Sequence, residues 1–161
     1  MQVKRILDAA TVTRDTSVNR DDLQGEFTEQ SGLTYFYSAK HAEAARQEMR
    51  AKRNLELVSA KLDSEYRQEA RDSKEKVTEP VIANRIKSDD RYSEAFNVHA
   101  DSALILNLAK GAMNAMANKR DMLIQLGASE RQEIKGSLRL HEETPRTQME
   151  AILKNRANSD G

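Results

Sequence analysis

Hydrophobic positions along this chain fall into two long stretches of opposite character. In residues 33–76 they are few and recur at helical spacing. Tyr37, Ala44, Ala51, Leu55, Val58, Leu62 and Tyr66 stand three, four or seven residues apart. That spacing predicts an amphipathic helix with a narrow apolar seam. Neither Pro nor Gly, the strongest helix breakers, falls within this stretch. A seam so thin needs a neighbouring helix to cover it. Residues 91–126 supply the opposite pattern. Ala95, Phe96, Val98, Leu104, Ile105, Leu106, Leu108, Met113, Met116, Leu123, Ile124 and Leu126 wrap most of the circumference. A helix apolar nearly all round must bury more than one face. Ala109, Gly111, Ala112, Ala115 and Ala117 keep one stretch thin, so another backbone can approach it. The expectation is a chain that self-assembles and leaves its charged helix outside.

Boundary signals divide the rest. Val3–Ala10 is expected to form a short helix, followed by a largely irregular arm to Gly32. Ser31-Gly32 marks the start of the charged helix. Thr78-Glu79-Pro80 fits a capped start for a short helix over 81–87. Ser88-Asp89-Asp90 caps the apolar helix, and Gly127 suits the position just past its end. Ser129 to Gln132 fits a capping box for a helix to Leu140, and Thr144-Pro145 starts a final one to Arg156. The predicted fold class is all-α: two long helices, 33–76 and 91–126, with shorter flanking helices, assembling as a helical oligomer. Three regions follow: a 1–32 N-terminal arm, a 33–127 helical core and a 128–161 C-terminal helical extension.

Composition narrows the function. The chain has 161 residues, 26 basic and 26 acidic side chains, and no cysteine. A zero net charge exerts no global pull on nucleic acid, so any attraction must be local. Without thiols there is no disulfide framework, which suits the cytoplasm. The first ten residues hold no apolar core of signal-peptide length, and no apolar run reaches the roughly 20 residues of a membrane span. We expect a cytoplasmic protein with no membrane partner. Phosphate-loop, GxGxxG and GxSxG patterns are absent. His41, His99 and His141 lie far apart, without metal-site spacing. No catalytic residue, metal or cofactor is expected.

The basic residues of the charged helix are the candidate chemistry. Arg46, Arg50 and Arg53 share a face, which Lys61 and Arg67 extend and Lys40 and Lys52 flank. Residues 40–76 hold ten Lys/Arg and eight Asp/Glu. A solvated face of helix-surface ion pairs, such as Glu43–Arg46, Glu48–Lys52, Asp63–Arg67 and Arg71–Glu75, explains them as well as a phosphate track does. Tyr35-Phe36-Tyr37 gathers three of the seven aromatic residues. Exposed rings there could stack on unpaired bases. Phe36 is expected to anchor the helix start on the core, with Tyr35 and Tyr37 open to either role.

The chain resembles the UvsY family of phage recombination mediator proteins. The likeness rests on Tyr37-Ser38-Ala39-Lys40, Gln47-Glu48-Met49, and Ala60-Lys61-Leu62-Asp63 followed by Tyr66. It ends in the alanine-rich helix from Leu104-Ile105-Leu106 through Gly111-Ala112-Met113 to Ala117-Asn118-Lys119-Arg120. The resemblance implies a non-enzymatic, ring-like homo-oligomer that binds single-stranded DNA. Such a protein helps a RecA-like recombinase load onto strands covered by single-strand binding protein. Lys61 sits at one basic position of the family's DNA-binding motif, while Ser59 stands at the other. Lys40, Arg46, Arg50, Lys52, Arg53, Lys61 and Arg67 become the expected DNA-binding set. Leu104, Leu108, Ala112, Ala115, Met116 and Leu123 become the expected oligomer interface. The alternative is an oligomeric scaffold or assembly adaptor with no affinity for nucleic acid.

Overall fold

The computed structural model describes the backbone of residues 3–74 and 76–157 and the side chains of these residues up to 136. Among the described residues the chain is all-α and contains no strand. The elements are α1 (Ala9–Thr16), a 3-10 turn (Arg20–Asp22), α2 (Leu23–Asp72), α3 (Glu79–Ser88) and α4 (Asp90–Ala157).

An antiparallel hairpin of α2 and α4 forms the body. Its seam on α2 repeats every seven residues through Gln30, Tyr37, Ala44 and Ala51, all buried, and half-buried Val58. On α4 the matching seam is Ala95, Ser102, Ala109, Met116 and Leu123, again every seven residues. A sustained seven-residue repeat keeps two helices facing one another along their length. Small residues dominate the middle, so the backbones approach closely there and larger side chains fill the two ends. At one end Tyr37, Ala112 and Met116 pack with Leu7, Val12 and Leu33. At the other, Leu62, Ile82 and Ile86 pack with Val58, Tyr66, Val77 and Tyr92. α3 thus closes the end where the chain reverses.

Several expected boundaries move. The short N-terminal helix begins at Ala9 rather than Val3, because Asp8 caps it by accepting from the Thr11 amide at 3.0 Å. The long basic helix starts at Leu23, ten residues before the expected opening. Asp22 caps it, and buried Gln30 carries the seam backward through Gly32. It ends at Asp72 instead of Lys76, where Lys74 takes a left-handed backbone with φ 56°. Gly127 does not terminate the apolar helix. A Cβ there would lie 3.1 Å from the Phe27 ring, so this glycine admits a ring from α2. The capping box at Ser129 and the start at Thr144-Pro145 both fall within continuous α4. An interior proline removes one backbone donor and crowds the carbonyl four residues earlier, yet the helical backbone continues through Pro145. The faces of Met149, Ile152 and Leu153 lie outside the described side chains.

The N-terminal arm is held by polar anchors. Lys119 is only 4% exposed. Its Nζ lies 2.6 Å from Glu26 Oε2 and donates to the Asp15 carbonyl at 2.9 Å. Tyr37 Oη donates to Asp15 Oδ2 at 3.0 Å. Gln30 Nε2 donates to the Met116 carbonyl at 2.8 Å. Farther along, the Gln47 amide accepts from the Lys4 backbone N–H and donates to the Lys4 carbonyl. A buried charge is tolerated when paired and hydrogen-bonded, and such a group fixes register.

Candidate nucleic-acid interface

The seam of α2 determines what its opposite side presents. With Tyr37, Ala44 and Ala51 turned inward, Arg46, Arg50 and Arg53 must point away from α4. All three are exposed, as are Lys52 and Lys61. None of these five cations has an ion-pair partner among the described residues. The carboxylates expected to neutralise them are engaged elsewhere. Glu43 meets Lys40 at 3.0 Å and Lys4 at 3.9 Å rather than Arg46. Glu48 turns toward α4, with its Oε1 3.1 Å from His99 Nε2, rather than toward Lys52. The hydrogen bond from Lys40 holds the Glu43 carboxyl below its usual range.

Two members of the expected set are engaged. The Arg67 guanidinium contacts Glu79 at 2.6 Å and Asp63 at 2.8 Å, tying α2 to the start of α3. These bonds push its already high pKa further up, Glu79 first and Asp63 second. Lys40, paired with Glu43, also lies 5.7 Å from the Phe36 ring centroid. Asp63–Arg67 is therefore an ion pair as expected, while Arg71–Glu75 lies on a residue outside those described.

The aromatic triplet divides differently from expectation. Tyr37 is the core anchor and is fully buried. Burial, helped by its bond to Asp15, pushes its pKa up to about 12. Phe36 is half-exposed and meets Tyr37 edge-on at 5.2 Å. Tyr35 is 78% exposed, on the same outward side as Arg46 and Arg53. Its ring is free to stack.

The expected oligomer interface also divides. Ala112, Met116 and Leu123 are buried within the single chain, Ala112 and Met116 against Tyr37, Leu7, Val12 and Leu33. Leu104 and Leu108 are 59% and 62% exposed. They begin a second stripe on α4, continuing through Gly111, Ala115 and Met122 at spacings of four, three, four and seven. Gly111 has no atom within 4 Å of its Cβ position. Among the described residues this stripe is one apolar surface that the hairpin leaves exposed, besides separate side chains such as Met49, Leu57, Phe96 and Ile124.

Sequence reasoning missed the arm anchors. In the sequence Lys119 stands out only as part of the Ala117-Asn118-Lys119-Arg120 stretch. Its spacing from Ala112, Met116 and Leu123 places it on the buried face, which is the signal that it must find a partner. Among the described residues no group of three or more His, Asp or Glu could hold a metal ion, and no helix is long and apolar enough to cross a membrane. The chain matches no protein-family model, no curated protein and no solved structure.

Proposed function

We propose that this protein is a homo-oligomeric single-strand DNA-binding mediator, acting in the cytoplasm, that assists loading of a RecA-like recombinase onto strands covered by single-strand binding protein. The observation carrying the reading is the diversion of Glu43 and Glu48 away from the α2 ridge. It leaves Arg46, Arg50, Lys52 and Arg53 without carboxylate partners on a side facing solvent. An ion-paired surface would have little left to offer a phosphate; this one keeps its cations open. Each cation that neutralises a phosphate releases counterions, and a row of such contacts adds along one strand. Tyr35 adds a ring for base stacking. The role is binding and positioning, with no catalytic step.

The uncovered α4 stripe supports self-association, with Leu104, Leu108 and Ala115 as its members from the expected set. Repetition of the ridge around an assembly would multiply weak phosphate contacts. That same stripe favours the second reading, an assembly adaptor without DNA affinity, since it requires only apolar association. Fluorescence anisotropy with a labelled single strand at two salt concentrations separates the two. Duplex serves as the control, and light scattering gives the mass. Salt-sensitive binding by an oligomer, stronger for the single strand, is the expected result. An oligomer with no affinity at low salt would leave the adaptor.

A further inference from the structure

A half-open cavity of about 410 Å³ lies between α2 and α4, beside the basic ridge. Its size falls within the range of about 300–1,000 Å³ common to small-ligand sites. Val58, Ala95 and Val98 make its apolar walls. Lys61, Asn54 and Glu94 supply its polar side chains, together with Arg91 and Glu65. Arg50, Asn54 and Lys61 follow one another at spacings of four and seven, so the ridge runs along this opening. Asn54, Lys61 and Glu94 make no hydrogen bond or ion pair among the described residues. Glu65 and Arg91 are not available in the same way, because they hold each other across the lining at 2.8 Å.

We infer that this cavity takes one base of the bound strand, and that it favours a base carrying an exocyclic amine. The inference rests on the single-strand reading above. Flat walls of β-branched and small side chains suit the face of a heterocycle. Lys61 is placed for the adjoining phosphate. The Glu94 carboxylate oxygens are hydrogen-bond acceptors, so they match the N4 amine of cytosine or the N6 amine of adenine. The thymine edge presents two carbonyl oxygens about its N3–H, and these face the carboxylate with like partial charge. The ridge thus supplies affinity without regard to sequence, and the cavity adds a modest base preference.

The test compares oligo(dC) and oligo(dT) of equal length by anisotropy at one salt concentration. Wild type, Glu94→Leu and Lys61→Ala are measured, with circular dichroism confirming that each is folded. Wild type is expected to favour oligo(dC) by about three- to tenfold. Glu94→Leu should bring that ratio to about one, whatever its effect on overall affinity. Lys61→Ala should weaken both strands by a similar factor and keep the ratio. Equal wild-type affinities, or an unchanged ratio in Glu94→Leu, would overturn the base site and leave the phosphate ridge standing. Absence of binding to either strand at low salt would overturn the single-strand reading itself, and the base site with it.

Discussion

The two long helices are alike on the faces they turn toward each other and opposite on the faces they turn away. Inward, α2 and α4 both present small residues at seven-residue spacing, among them Ala44 and Ala51 against Ser102 and Ala109. Outward, α2 offers Arg46, Arg50 and Arg53, while α4 offers Leu104, Leu108, Gly111 and Ala115. A seam of small side chains needs little from each helix to hold a hairpin. The remaining circumference is free to differ: one outward face carries cations, the other exposed apolar side chains.

The largest expected effect concerns what keeps the shared seam in register. Lys119→Ala leaves the Glu26 carboxylate with only the Asn19 amide as partner and is expected to cost about 3 kcal/mol, read as a lower midpoint in urea. Replacing both, as Lys119→Met with Glu26→Leu, should restore most of that loss. The hydrogen bond from Lys119 holds the Glu26 carboxyl below its usual range. A group depressed in the folded state stabilises fully above its unfolded value and loses that contribution as pH falls through its folded one. The pair's advantage over the single variant should therefore fade only on acidification below the ordinary glutamate range.

The apolar outward face is tested next. Leu104→Asp with Leu108→Asp should reduce the proposed assembly to single chains by light scattering, with helix content unchanged. Each lost leucine removes about 1.5–3 kcal/mol of burial from the contact. An unaltered mass would move the interface elsewhere. Tyr37→Phe removes the phenol that binds Asp15 and should cost about 1 kcal/mol. It should also abolish the tyrosine that ionises near pH 12 in a spectrophotometric titration. In wild type that raised value means stability held below the ordinary tyrosine range and lost as pH climbs from there toward 12. The smallest effect lies at the end of α2. Lys74→Gly relieves a left-handed lysine and should raise stability by about 0.5 kcal/mol, since relief of roughly 1 kcal/mol is partly offset by glycine's freedom in the unfolded chain.

Periodicity made the shared faces legible. Tyr37, Ala44, Ala51 and Leu62 stand buried where their spacing placed them, and Thr78-Glu79-Pro80 opens α3. Turn chemistry misled where a glycine served packing. Gly127 admits Phe27, and Gly32 lies inside α2 with open space around it, so neither ends a helix. A polar residue inside the seam also concealed the true start of α2, because Gln30 breaks an apolar pattern without breaking the helix. At the candidate site, spacing brought Arg46, Arg50 and Arg53 to one face, but it could not say where Glu43 and Glu48 would turn. Glu43 takes Lys40, as near in sequence as Arg46, while the His99 partner of Glu48 is distant in sequence and arrives only through the fold. The same holds for Arg67, whose commitment to Glu79 depends on how α3 docks.

The measurement that bears most directly on the α2 ridge is the salt dependence of single-strand binding, taken for wild type and for Arg46→Ala, Arg50→Ala and Arg53→Ala combined. Three phosphate contacts correspond to a change of about 2 in the slope of log affinity against log salt for a single strand. The account predicts that the triple variant loses about that much slope and at least tenfold in affinity near 0.1 M salt, with its mass and helix content intact. A triple variant with wild-type slope and affinity would contradict it.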